Sequence, residues 1–103
     1  MNLLEEVGIP ELTSKQIEEI GKVAEEEVRK YVFSRVPQKQ IERLDIVVEV
    51  EGARPILLTV NVDVKLSSRI KNIDEQRLAD EAADSGLNVA REFLRKLVCQ
   101  LQK

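Results

Sequence analysis

The chain has 103 residues, with 16 Lys and Arg against 19 Asp and Glu, a net charge of −3 and no histidine. That length makes one domain with one modest core, and the acidic balance argues against bulk attraction to nucleic acid, though not against a local basic patch. Without histidine the commonest general base and metal ligand are both missing.

Tyr31, Phe33 and Phe93 are the only aromatic residues, too few for a base-stacking platform. Cys99 is the single cysteine, so no internal disulfide can form, which fits a reducing cytosol. No apolar run approaches membrane-spanning length, and the opening Met1-Asn2-Leu3-Leu4-Glu5-Glu6 lacks the basic and apolar regions of a signal peptide. A cytoplasmic protein is expected.

Residues 1–12 read as an N-terminal arm, for packing or for binding a partner. Leu3 to Val7 is expected to make a helical turn or two, ended by Gly8 with Pro10 beyond. The first helix is expected over residues 13–36. Thr13 and Gln16 have capping-box spacing, and Leu12 and Ile17 are placed as a hydrophobic staple. Ile17, Ile20, Ala24, Val28 and Tyr31 make one apolar stripe. Glu18, Glu19, Glu25, Glu26 and Glu27 lie largely off it, as a solvated face rather than as paired catalytic carboxylates. Val36-Pro37 ends the helix, because the residue before proline avoids helical angles.

A β-hairpin is expected over residues 43–66. Leu44, Ile46, Val48 and Val50 alternate against Asp45, Glu49 and Glu51, and Leu58, Val60, Val62, Val64 and Leu66 alternate with Thr59, Asn61, Asp63 and Lys65. Gly52 and Pro55 mark the connection. No further strand shows comparable patterning. Two strands alone are marginal in water, so both outer edges are expected to carry unpaired backbone groups that template pairing with another chain.

Lys65, Ser68, Arg69 and Lys71, with Arg77, place positive charge and a hydroxyl near a helix start. Free amides there make phosphate contact one reading, and a solvated loop with an N-cap is the blander one. Asn72 and Glu75 have cap spacing. The last helix is expected over residues 72–102. Ala82, Gly86 and Ala90 fall on one stripe, with Phe93, Leu94 and Leu97 following. Its apolar arc exceeds what a two-stranded sheet needs. Either a partner or the first helix takes the surplus, and Gly86 either breaks the helix or admits a close backbone. Cys99, near Arg91 and Arg95, reads as an inert thiol.

The isolated glycines form no phosphate-binding or Gly-x-x-Gly loop, and no catalytic set or metal cluster is present. The expected fold is therefore α+β: N-terminal helix, antiparallel hairpin and long C-terminal helix packed on one sheet face. The expected function is a non-enzymatic interaction module without cofactor, metal or small-molecule substrate. Its interface residues would be Val60, Val62, Val64, Ala82, Gly86, Ala90, Phe93, Leu94 and Leu97. The alternative is a small RNA-binding domain using Lys65, Ser68, Arg69, Lys71 and Arg77.

The order of helix, Leu44–Val50 strand, Gly52 turn, Ile56–Leu66 strand and long helix through Ala82, Gly86, Ala90 and Phe93 resembles a family of small archaeal proteins of unassigned function. More distantly, from about Ile41 to Leu101, it resembles the small KH-like dimerising subunit of the KEOPS complex, which makes the threonylcarbamoyl modification on transfer-RNA adenosine. That subunit begins with a strand; here a capped helix comes first, and the last helix is richer in small residues. The resemblance implies a non-catalytic paralogue, pairing as a homodimer or with a similar small subunit, with transfer RNA as an indirect partner.

Overall fold

A computed structural model describes residues 3–4, 12–51 and 56–101, the first two and last four of these by backbone only. The elements are β1 (Leu3–Leu4), α1 (Ser14–Arg35), a 3₁₀ turn (Gln38–Gln40), β2 (Ile41–Glu51), β3 (Ile56–Leu66) and α2 (Glu75–Leu101). The fold is α+β as expected, with both helices on one face of the sheet.

α1 starts where its capping box closes. The Thr13 amide donates to Gln16 Oε1 at 2.9 Å, and the Gln16 amide donates to Thr13 Oγ1 at 3.1 Å. Thr13→Ala removes the acceptor for an otherwise unsatisfied amide and is expected to cost about 1 kcal/mol, read as a lower denaturant midpoint. Ile20, Ala24, Val28, Val32 and Val36 are buried at four-residue spacing. The stripe thus runs through Val32 and Val36, Tyr31 is half-buried, and Ile17 remains 38% exposed.

β2 and β3 pair antiparallel, with Ile46 opposite Val62 and Val48 opposite Val60. β2 begins at Ile41, earlier than expected, because of an irregularity in register. Ile41 pairs with Leu66 but Arg43 pairs with Lys65, leaving Glu42 as an extra residue. That bulge puts Ile41 and Leu44 on the same face, where both pack against the core.

The expectation of two strands and no more is corrected. Leu3 and Leu4 pair with Leu57 and Ile56, giving a sheet of order β1-β3-β2. The expected helical turn is therefore extended at Leu3 and Leu4; Val7, Gly8 and Pro10 lie outside the described residues, as does the Gly52–Pro55 connection. Two residues show no periodicity, and only the exposed edge of β3 gives them a conformation.

The expected Asn72 cap is also corrected. Asp74 caps α2, its Oδ1 accepting from the amides of Gln76 (3.0 Å) and Arg77 (3.2 Å). Glu75 instead reaches back, and its Oε2 accepts the Leu66 amide at 2.8 Å. A carboxylate at the N-terminus also opposes the positive end of the helix dipole.

α1 and α2 run antiparallel, pinned on one side by Tyr31 Oη donating to Glu81 (3.1 Å) and Ser85 Oγ donating to Glu27 (2.7 Å). The core lies between them and the sheet in two clusters. One gathers Ile20, Ala24, Ile56, Leu58, Ala90 and Leu94; the other gathers Val28, Val32, Val36, Val64, Leu66, Leu78, Ala79 and Ala82. No polar or charged side chain is buried among the described residues.

Candidate interaction surfaces

The residues expected to face a partner are mostly core residues. Val64, Ala82, Ala90 and Leu94 are each at most 5% exposed, and Gly86 is buried. Val60, Val62, Phe93 and Leu97 are half-buried and pack against the same clusters. The interface expected on the small-residue stripe is thus corrected: α1 of the same chain occupies it. A Cβ placed on Gly86 would meet Val28 Cγ2 at 2.7 Å and the Ala24 carbonyl oxygen at 3.1 Å. Gly86 therefore admits a close backbone, and α2 continues through it without a break.

The pairing edge does survive. β2 pairs with β3 alone, so its outer edge is unpaired among the described residues from Ile41 to Glu51. Leu44, Ile46, Val48 and Val50 below that edge are only half covered, whereas Ile56, Leu58, Val64 and Leu66 on β3 are buried. The reason is placement: α2 lies over β3, and α1 leaves a groove of about 420 Å³ over β2, bounded by Gly21, Lys22, Glu25, Ile46 and Val48. No atom lies within 4 Å of a Cβ built on Gly21.

Among the described residues, nothing packs over the opposite face of the sheet. It presents Arg43, Asp45, Val47 and Glu49 on β2 and Leu57, Asn61, Asp63 and Lys65 on β3. Asp45 and Asp63 sit directly opposite one another, a repulsive pair. Arg43 bridges them, 3.2 Å from Asp45 and 2.8 Å from Asp63. Val47 is 51% exposed in the middle of this face.

At the far end of the sheet, the expected phosphate-contact residues come together in part. Lys65, Ser68, Arg69 and Lys71 are exposed around the β3–α2 loop. Arg77 is exposed but paired with Glu81 at 3.3 Å. The free helix N-terminus that would have received phosphate is absent, because Asp74 holds its amides. Arg35, not expected from the sequence, joins this end by stacking 4.0 Å over the Tyr31 ring. A groove of about 480 Å³ runs between Arg35, Asn72, Asp74, Arg77 and Glu81.

Among the described residues no cluster of three or more His, Cys, Asp or Glu could hold a metal, and no helix is long and apolar enough to cross a membrane. The Cys99 side chain lies outside the described residues.

Comparison with known proteins gives relatives over most of the chain. An uncharacterized protein of Thermococcus kodakarensis is 28% identical over 91 residues, covering 88% of this chain and 83% of that one. An uncharacterized protein of Pyrococcus horikoshii is 25% identical, covering 88% and 78%. A crystal structure from Thermococcus onnurineus shares the fold with a TM-score of 0.73 at 24% identity, covering 91% of this chain and 90% of that one. The solution structure of a hypothetical protein from Methanothermobacter thermautotrophicus does so with a TM-score of 0.71 at 23% identity, covering 87% and 97%. The profile of the family described as protein of unknown function (DUF3194) matches residues 9–92, and the chain belongs to that family.

Proposed function

We propose that the protein is a non-catalytic pairing module, an accessory subunit that extends its sheet through the outer edge of β2. The observation that carries this is the unpaired Ile41–Glu51 edge above a half-covered apolar face. An added strand would satisfy the edge amides and carbonyls, and any helix it brings would enter the groove beside Gly21. A second copy supplies both elements. The partner surface therefore moves from the α2 stripe to β2.

The resemblance to the small KEOPS subunit supports the same class of role. A short strand, β1, stands ahead of α1, and in that subunit too a strand comes first. The proposed setting is accordingly a transfer-RNA-modifying assembly in which another polypeptide does the chemistry. Loss of the chain from its host should lower threonylcarbamoyladenosine in bulk transfer RNA, measured by mass spectrometry of nucleosides. An unchanged level removes the assignment to that assembly and leaves the pairing intact.

Pairing itself is read by light scattering over a concentration series. The wild-type chain should approach dimer mass. Antiparallel pairing of β2 with its two-fold copy puts the strand centre close to itself, so Val47→Lys sets like charges against each other across the axis. Val47 is 51% exposed, so its fold should survive while the mass falls to that of a monomer. A wild-type monomer at every concentration would refute self-pairing.

A further inference from the structure

Charge is segregated along this molecule. Residues 34–43 and 65–77 hold seven Lys or Arg against three Asp or Glu, although the chain as a whole is acidic at −3. These two segments form one end. The Ser67 amide donates to the Gln40 carbonyl at 2.8 Å, tying the 3₁₀ turn to the β3–α2 loop. Ile70 is half-buried against the core, and its amide donates to the Ser67 carbonyl at 2.9 Å, so the loop is anchored at its middle. Arg69 and Lys71 on either side of that anchor are exposed.

Carboxylates offset part of this charge without cancelling it. Asp45, Asp63 and Glu81 reach this end on Arg43 and Arg77, and Asp74 and Glu75 keep their charge while accepting amides. Lys39, Lys65, Arg69 and Lys71 are exposed and have no carboxylate partner among the described residues, and Arg35 rests on Tyr31. Lys65 also sits directly opposite Arg43, a like-charge pairing that a sheet does not favour on stability grounds.

We propose that this end binds the phosphodiester backbone of nucleic acid. The apolar residues of the two segments, Val36, Leu66, Ile70 and Ile73, pack against the core, leaving a mostly cationic and polar surface beside Phe33, which is 40% exposed. Hot spots of protein interfaces are mostly Trp, Tyr and Arg seated in well-packed, desolvated pockets. A nucleic-acid backbone needs no such pocket, because cations that neutralise phosphates release counterions. Binding is backbone-directed and tolerant of sequence. It is independent of pairing through β2, and light scattering without nucleic acid separates the two.

The test is fluorescence anisotropy with a labelled RNA hairpin and a DNA duplex of matching sequence. Three to five phosphate contacts predict a roughly 20- to 500-fold weakening between about 50 and about 200 mM salt. Arg69→Glu with Lys71→Glu should abolish binding. Arg95→Glu with Lys96→Glu makes the same charge change on exposed positions of α2 far from this end and should leave it largely intact. Binding of either probe with this pattern supports the proposal, and comparing the two shows which sugar is preferred. Absence of binding to both probes at the lower salt, equal loss in both double variants, or equal displacement by polyglutamate would each overturn it.

Discussion

Ala90→Glu is expected to unfold the protein rather than to separate copies of it. Ala90 is fully buried, clustered with Ile20, Ala24, Ile56, Leu58 and Leu94. No polar side chain is buried anywhere among the described residues, so the new carboxylate has no donor to meet it. An unpaired buried charge costs several kcal/mol or forces protonation, and the added volume overpacks a dense site. A loss of about 3–5 kcal/mol is a large share of the 5–15 kcal/mol that holds a typical domain together. Melting followed by circular dichroism should show a midpoint lower by roughly 15–30 °C, or no transition at all. Asn88→Glu, two residues earlier and exposed, should change stability by less than about 0.5 kcal/mol. A folded Ala90→Glu variant that merely fails to associate would restore the α2 stripe as an interface.

The same substitution at two glycines should move stability in opposite directions. Both Gly21 and Gly86 lie inside helices, where alanine is favoured by about 1 kcal/mol. At Gly21 nothing opposes that gain, because a Cβ there meets no atom within 4 Å. Gly21→Ala should therefore stabilise by about 0.5–1 kcal/mol. At Gly86 the methyl would lie 2.7 Å from Val28 Cγ2 and 3.1 Å from the Ala24 carbonyl oxygen. Val28 is β-branched and held to one rotamer within a helix, and the carbonyl belongs to the backbone of α1. Neither can yield without moving α1 away from α2. Overpacking of this kind costs about 1–3 kcal/mol, so Gly86→Ala should lower stability by up to about 2 kcal/mol. Denaturant midpoints that shift in the same direction would show that α1 and α2 are not in close contact.

The pair of glycines also shows what could be read from the chain before its structure. Gly86 sits among Ala79, Ala82, Ala83 and Ala90, and that stripe of small residues does mark a close approach of backbones. What approaches is not written in the stripe. A second copy and the α1 of the same chain would ask for the same small residues, since both are helices needing room. The candidate interface was misplaced for that reason. The surviving edge was legible, because β2 and β3 are the two clearly alternating runs and two such runs leave outer edges.

The basic end was legible only in part. Lys65, Arg69 and Lys71 are near each other in sequence, but Arg35 and Lys39 lie some thirty residues earlier. The hydrogen bond from Ser67 to Gln40 brings the two segments together. Asp74 falls inside the helix expected over residues 72–102 with Asn72 as its cap, and only the geometry of α2 shows its carboxylate already holding the amides that phosphate would need.

The sequence by itself determined the local elements. Capping at Thr13 starts α1, Val36-Pro37 ends it, and alternation of apolar and polar residues makes β2 and β3. These follow from interactions spanning a few residues, so the local pattern contains them. Tertiary structure alone decided the rest. It made a strand of Leu3–Leu4, shared the apolar arc of α2 between α1 and the sheet, and left β2 half covered. Each of these depends on which of several equally apolar surfaces meet. The hydrophobic effect is non-directional, so shape and chain connectivity make that choice.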